Sequence, residues 1–143
     1  MKFADFGKYD EVFTFIDNRD DSSFMLNSSA LVEHLRSNNV DPFIIPVDYE
    51  HAEHVMNKNG VNFLHVARVS NLRLLDPILL LCHEDGTHIL ADGNHRYVRA
   101  WQLRRLEISA YMPLPEVWRP FVAEDVPPDI LEIARKDVKK SVR

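Results

Sequence analysis

The chain has 143 residues, 45% of them apolar and 27% charged, which is the make-up of an ordinary globular protein with one core. A net charge of −5 argues against a nonspecific nucleic-acid binder, so DNA is not expected as a partner. The single cysteine, Cys82, excludes an internal disulfide, and no apolar run nears the ~20 residues of a membrane span. A reducing, cytoplasmic setting fits, and the first residues, Met1-Lys-Phe-Ala-Asp-Phe-Gly-Lys, contain no apolar core of a signal peptide.

In chain order, residues 11–16 are β-branched and aromatic and predict a strand, followed by a polar loop over 17–23. Ser28 or Ser29 caps a helix through Ser37 with Leu31, Val32 and Leu35 on its buried stripe, closed by Asn38-Asn39. Residues 43–47 read as a strand, with Pro46 marking an edge or an end. A helix over 48–59 stops at Gly60, its apolar positions being Ala52, Val55 and Met56. Residues 61–75 fit a helix or a strand equally well.

Asp76-Pro77 introduces the apolar run Ile78 to Cys82, and Glu84-Asp-Gly-Thr87 is a hairpin turn. Residues 78–82 and 88–91 should therefore pair antiparallel. A helix over 94–106, a short strand over 108–112, and a helix opened by Pro127-Pro128 complete the pattern. Between the last two, Trp118, Phe121 and Val122 form an aromatic patch that should pack back on the core and, where exposed, could support a homodimer.

The most informative stretch is Ile89-Leu-Ala-Asp-Gly-Asn-His-Arg-Tyr97, a strand that breaks at Gly93 into a helix. Free backbone N–H groups and the positive end of the helix dipole favour an anion at such a start. Arg96 carries a planar fork matched to phosphate oxygens; its other reading is a pair with Asp92. His95 either donates to phosphate and moves protons or merely caps and packs. Gly93 permits the turn, and Asn94 offers its amide or tolerates the bend. Asp92 is either the helix N-cap, a ligand of Mg2+ through water, or a general base. Glu50-His51-x-Glu53-His54 has the spacing of a metal pair on one helix face but no third ligand, so a solvated face is the simpler reading. No P-loop and no Gly-x-Ser-x-Gly elbow occurs.

Taken together, Asp76-Pro-Ile-Leu-Leu, the Asp85-Gly86 turn and Ala91-Asp-Gly-Asn-His-Arg-Tyr followed by a helix resemble the ParB/sulfiredoxin superfamily. The resemblance spans residues 43–112 in pattern and 76–112 in motif. It implies an α/β (α+β) fold with a compact mixed sheet and flanking helices, and a nucleotide whose phosphates sit on Gly93, Asn94, His95 and Arg96. It also implies further phosphate contacts from His65 and Arg68; a catalytic part for His95 and Asp92 is a reading of those residues themselves, since a kinase's catalytic carboxylate lies outside the motif. Two departures matter. Asn94 stands where sulfiredoxins carry their reactive cysteine, and too few residues follow Pro113 for the helix-turn-helix domain of partition proteins. The motif is nearest the free-serine-kinase branch and small phage or plasmid relatives. The implied activity is a phosphotransferase or nucleotide hydrolase using ATP or CTP with Mg2+ and, for a kinase, a small hydroxyl-bearing acceptor. A non-enzymatic nucleotide sensor or interaction module is the alternative; a nuclease is the third.

Overall fold

A computed structural model describes residues 1–17, 22–57 and 61–139. Strand β1 (Val12–Ile16) forms an antiparallel hairpin with β2 (Ser23–Asn27), and Asn27 turns the chain directly into α1 (Ser28–Ser37) by accepting the N–H of Ala30. Asn27, not Ser28 or Ser29, is thus the cap. Asn39 takes a left-handed conformation (φ 53°), which lets the N–H of Val40 return to the carbonyl of Leu35 and close α1 as the Asn-Asn pair suggested.

Then come β3 (Phe43–Pro46), α2 (Tyr49–Met56) capped by Asp48, and α3 (Phe63–Arg68) capped by Asn62. The ambiguous segment is therefore helical at its start, and a 3-10 turn at Arg73–Leu75 follows it. Gly60, expected to end the second helix, lies outside the described residues, as do residues 18–21 of the polar loop.

Strands β4 (Ile78–Cys82) and β5 (His88–Asp92) are the expected hairpin, with Gly86 at φ 86° in its turn. Helix α4 (Asn94–Gln102) ends four residues early. Arg104 adopts φ 56°, and the N–H groups of Arg104 and Arg105 reach the carbonyls of Trp101 and Ala100, so the last carbonyls are satisfied and the helix stops. Strand β6 (Glu107–Tyr111), α5 (Pro115–Trp118), a 3-10 turn (Arg119–Phe121) and α6 (Pro128–Lys139) finish the chain.

The second sheet runs β3-β6-β4-β5, antiparallel except for the β4–β6 pair, so the protein is α+β with a mixed sheet. Side chains alternate across it, as the two-residue period of a strand requires. Ile78, Leu90 and Ile108 join Val98, Ala100 and Val66 on one face, while Leu79, Leu81 and Ile89 join Leu26, Leu31 and Trp118 on the other. Tyr97 is buried in the first cluster, and its hydroxyl donates to the carbonyl of Pro46 at 3.3 Å. Among the described residues no helix is long and apolar enough to cross a membrane.

Two expectations need correction. β2 was not anticipated; residues 23–27 pair with β1, and Ser23 belongs to the run 17–23 that read as loop. The aromatic patch packs inward as expected, but it is not an exposed docking surface. Trp118 is fully buried, stacks on Phe24 and donates its indole N–H to the carbonyl of Cys82 at 3.0 Å, which removes the basis for a homodimer through it.

Candidate functional site

All seven residues singled out in the sequence, Asp92, Gly93, Asn94, His95, Arg96, His65 and Arg68, line a single cavity of about 900 Å³. It opens where the first turn of α4 meets α3, the Arg73 turn, and the starts of β1 and α1. Gly93 is the N-cap of α4, at φ 107°, and it carries no capping side chain. Asp92 is therefore not the N-cap. It is the last residue of β5, and its carboxylate turns to Arg96 at 3.1 Å.

Arg96 is placed differently from the guanidinium fork expected to reach outward. The side chain is only 7% exposed. One terminal nitrogen donates to the carbonyls of Asp76 (2.8 Å) and Pro77 (3.0 Å), and the other donates to Asp92 Oδ2. Burial pushes its pKa down and the Asp92 charge pushes back, so the cation is kept by its partners. Arg96 thus walls the cavity while stitching α4 to the entry of β4. Of its two sequence readings, the pair with Asp92 is the one present, although buried rather than at the surface.

The free positive charge lies elsewhere. Arg68, on exposed α3, makes no hydrogen bond or ion pair among the described residues, and Arg73 pairs with Asp76 on the surface. His95 Nε2 accepts the backbone N–H of Asn62 at 3.1 Å, so a neutral ring carries its proton on Nδ1. The rings of His65 and His95 stack at 4.2 Å and 17°. Arg99, further along α4, donates to the carbonyl of Val69 at 3.3 Å.

Sequence reasoning missed Glu11. It lines the cavity opposite in sequence to the motif, and its carboxyl is pushed above the usual range, first by the charge of Asp92, then by desolvation and a hydrogen bond with Asp92. A like charge so close makes the ionised form of Glu11 harder to reach. The backbone of Glu11 is fixed by α1: its N–H donates to Ser29 Oγ at 2.8 Å, and Ser28 Oγ donates to its carbonyl at 2.9 Å. Nothing local marks that glutamate, because its neighbour arrives from the far side of the fold.

Asn94 Oδ1 is buried without a hydrogen-bond partner, an acceptor in want of a donor or a cation. Among the described residues no group of three or more His, Cys, Asp or Glu is placed to hold a metal, and His51 of the second helix is hydrogen-bonded to Asp48. Burial raises the Cys82 thiol pKa and its Sγ donates to the Met112 carbonyl, the opposite of an activated nucleophile. No family model, curated protein or solved structure matches the chain.

Proposed function

We propose that the cavity binds the phosphate chain of a nucleoside triphosphate, ATP or CTP, and that the protein is a nucleotide-dependent phosphotransferase or hydrolase. The observation that carries this is a rim bearing Arg68 and Arg73, with His65 between them and the motif, in the same cavity as Glu11, whose carboxyl pKa Asp92 raises, beside an uncapped helix start. The volume is in the range of small-molecule sites, roughly 300–1,000 Å³. Resemblance to the ParB/sulfiredoxin superfamily points the same way, and the lone thiol, Cys82, suits a cytoplasmic protein.

In this reading Arg68 and Arg73 neutralise phosphate oxygens that the first-turn amides of α4 orient. Glu11, tuned upward by Asp92, takes the proton of an acceptor hydroxyl or of water. Arg96 holds Asp92 in place rather than touching phosphate. The oxygen donors Asp92 and Asn94 Oδ1 would suit a hard divalent ion, and Mg2+ would supply further charge neutralisation when bound. Arrangements of this kind work mainly by positioning and charge stabilisation.

The test is a thermal-shift panel of ATP, CTP, GTP and UTP with Mg2+. ATP or CTP should raise the melting temperature, and Arg68→Ala should cut that shift while leaving the unliganded melting temperature unchanged. Absence of any shift overturns the proposal and leaves an interaction module. A shift without phosphate release makes the protein a nucleotide sensor, and release only with a hydroxyl-bearing acceptor makes it a kinase.

A further inference from the structure

The turn that follows α3 and the turn that ends α4 lie side by side on the surface. Arg105 donates to Asn71 Oδ1 at 3.4 Å, and the parallel register of β4 on β6, Ile78 against Ala110, brings the Arg73–Leu75 turn alongside the chain entering β6. The charge of this face is unlike that of the chain as a whole. Residues 61–75 and 93–106 contain none of the chain's 22 acidic side chains, and apart from histidine their basic residues are all arginine. Arg96 and Arg99 turn inward to backbone carbonyls, which leaves Arg68, Arg73, Arg104 and Arg105 exposed. At the margin stand Asp76, which Arg73 engages, and Glu107, the first residue of β6.

Among these arginines stand leucines that the core does not use. Leu72, Leu75 and Leu106 are 76%, 71% and 82% exposed, and Leu103 is 38% exposed. Leu74 of the same turn packs against the first core cluster, so the turn is anchored while its neighbours remain in water. None of the four exposed leucines lines the cavity. Arg104 stands at φ 56°, where glycine would be unstrained, so the face keeps an arginine there at a conformational cost.

We infer that residues 71–75 and 103–106 form a face that docks the protein on an anionic lipid bilayer, with the arginines on lipid phosphates and the leucines at the acyl boundary. The headgroup layer takes basic and aliphatic side chains together, which is the mixture presented here. A nucleic acid would satisfy the arginines, but its bases stack on aromatic rings, and this face offers leucine instead. Protein partners draw their energy chiefly from aromatic anchors, and leucine is scarce among them. With a net charge of −5 the chain as a whole is repelled by such a bilayer, so attraction is confined to the acid-free face and fixes one orientation. Arg68 and Arg73 also line the cavity, so that orientation holds its mouth near the headgroups. The docking face does not require that the cavity's ligand be a nucleotide.

Co-sedimentation of the full chain with vesicles tests this, using phosphatidylcholine alone and an equimolar mixture with phosphatidylserine. The protein should pellet with the anionic vesicles and stay in solution with the neutral ones, and binding should weaken as salt rises. Arg104→Gln and Arg105→Gln should each weaken partition about fivefold, the factor for one basic residue at such a surface. Arg36→Gln, exposed on α1, should leave it unchanged. Leu72→Ser combined with Leu75→Ser should weaken binding even at low salt, and Leu106→Ser is the second variant if that protein fails to fold. No pelleting with anionic vesicles overturns the inference. So does binding indifferent to the leucines, or weakened as much by Arg36→Gln as by Arg105→Gln. Capture of a single-stranded RNA oligonucleotide in place of vesicles would overturn it in favour of a nucleic-acid surface. A dimer in sedimentation velocity that the leucine variants dissolve would overturn it in favour of a second copy.

Discussion

At the scale of single residues, Arg96 and Glu11 exchange the parts their types suggest. An arginine beside a helix N-terminus reads as a ligand clamp, yet here the fork satisfies two carbonyls and one carboxylate inside the fold. Truncation to alanine leaves the half-buried Asp92 beside Glu11 without its counter-charge. Arg96→Ala should therefore lose about 3–5 kcal/mol in denaturant unfolding, the usual cost of breaking a buried ion pair. Arg96→Lys should lose less, about 1–3 kcal/mol, because an ammonium cannot span both carbonyls and the carboxylate. An alanine variant as stable as the parent but deaf to nucleotide would show that the clamp, and not the stitch, is the true role.

Glu11 carries the complementary prediction. Its pKa is raised in the folded protein, chiefly by Asp92, so the folded state binds a proton that the unfolded state releases. That contribution is fully present below the ordinary carboxylate range and is lost as pH rises through the raised folded value. Glu11→Gln removes the repulsion. The variant should melt higher than the parent at pH 8, with the difference shrinking toward pH 4, and should lose turnover. A lower melting temperature at pH 8 would mean that the carboxylate is paired favourably after all. Stability gained where activity disappears is the usual mark of a working residue.

At the scale of elements, the β5–α4 junction depends on Gly93. Its φ of 107° disfavours any side chain, and a Cβ there would lie 2.7 Å from Ile78 Cβ and closer still to its Cγ2. Torsional strain and overpacking together put Gly93→Ala at about 2–6 kcal/mol. In the Ile78→Ala background the closest contact, with Cγ2, is removed while the contact with Cβ and the torsional part remain, so the two substitutions should couple in part in a double-mutant cycle. Additive costs would mean that the backbone shifts instead of clashing.

This junction was legible in the sequence because every signal for it is local: an apolar strand, an Asp-Gly turn, a glycine, then helical spacing. β2 was not, since Phe24-Met-Leu is short and becomes a strand only by pairing with β1. The end of α4 was missed because a left-handed arginine, Arg104, did the work usually given to glycine. The cavity lining was legible as a set, but the direction of Arg96 was not, because the carbonyls of Asp76 and Pro77 that draw it inward are brought there by the fold. Glu11 left no trace for the same reason.

At the scale of the whole molecule, one sheet separates two apolar clusters. α2, α3 and α4 cover the face with the cavity floor, while the β1–β2 hairpin, α1 and α5 cover the other. Because β4 sends Ile78 one way and Leu79 and Leu81 the other, neither face can lose its packing without disturbing the strand that supports its opposite. The N-terminal segment adds a strap between distant parts of the chain: the N–H of Phe3 donates to Asp125, and the terminal amine meets Glu124 at 3.5 Å. Such an arrangement should unfold as a unit, and the two tryptophans allow a direct check. Trp101 packs against the first cluster beside Tyr49, and Trp118 is sealed in the second. In Trp118→Phe the remaining fluorescence reports the α4 face, and in Trp101→Phe it reports the hairpin face. Within each variant the fluorescence midpoint should coincide with the far-ultraviolet circular dichroism midpoint. If Trp118 reported loss of its environment several degrees before the circular dichroism changed, the hairpin face would be melting separately. The placement of Glu11, carried on that face into a cavity walled by the other, would then be a matter of domain docking rather than of one cooperative fold.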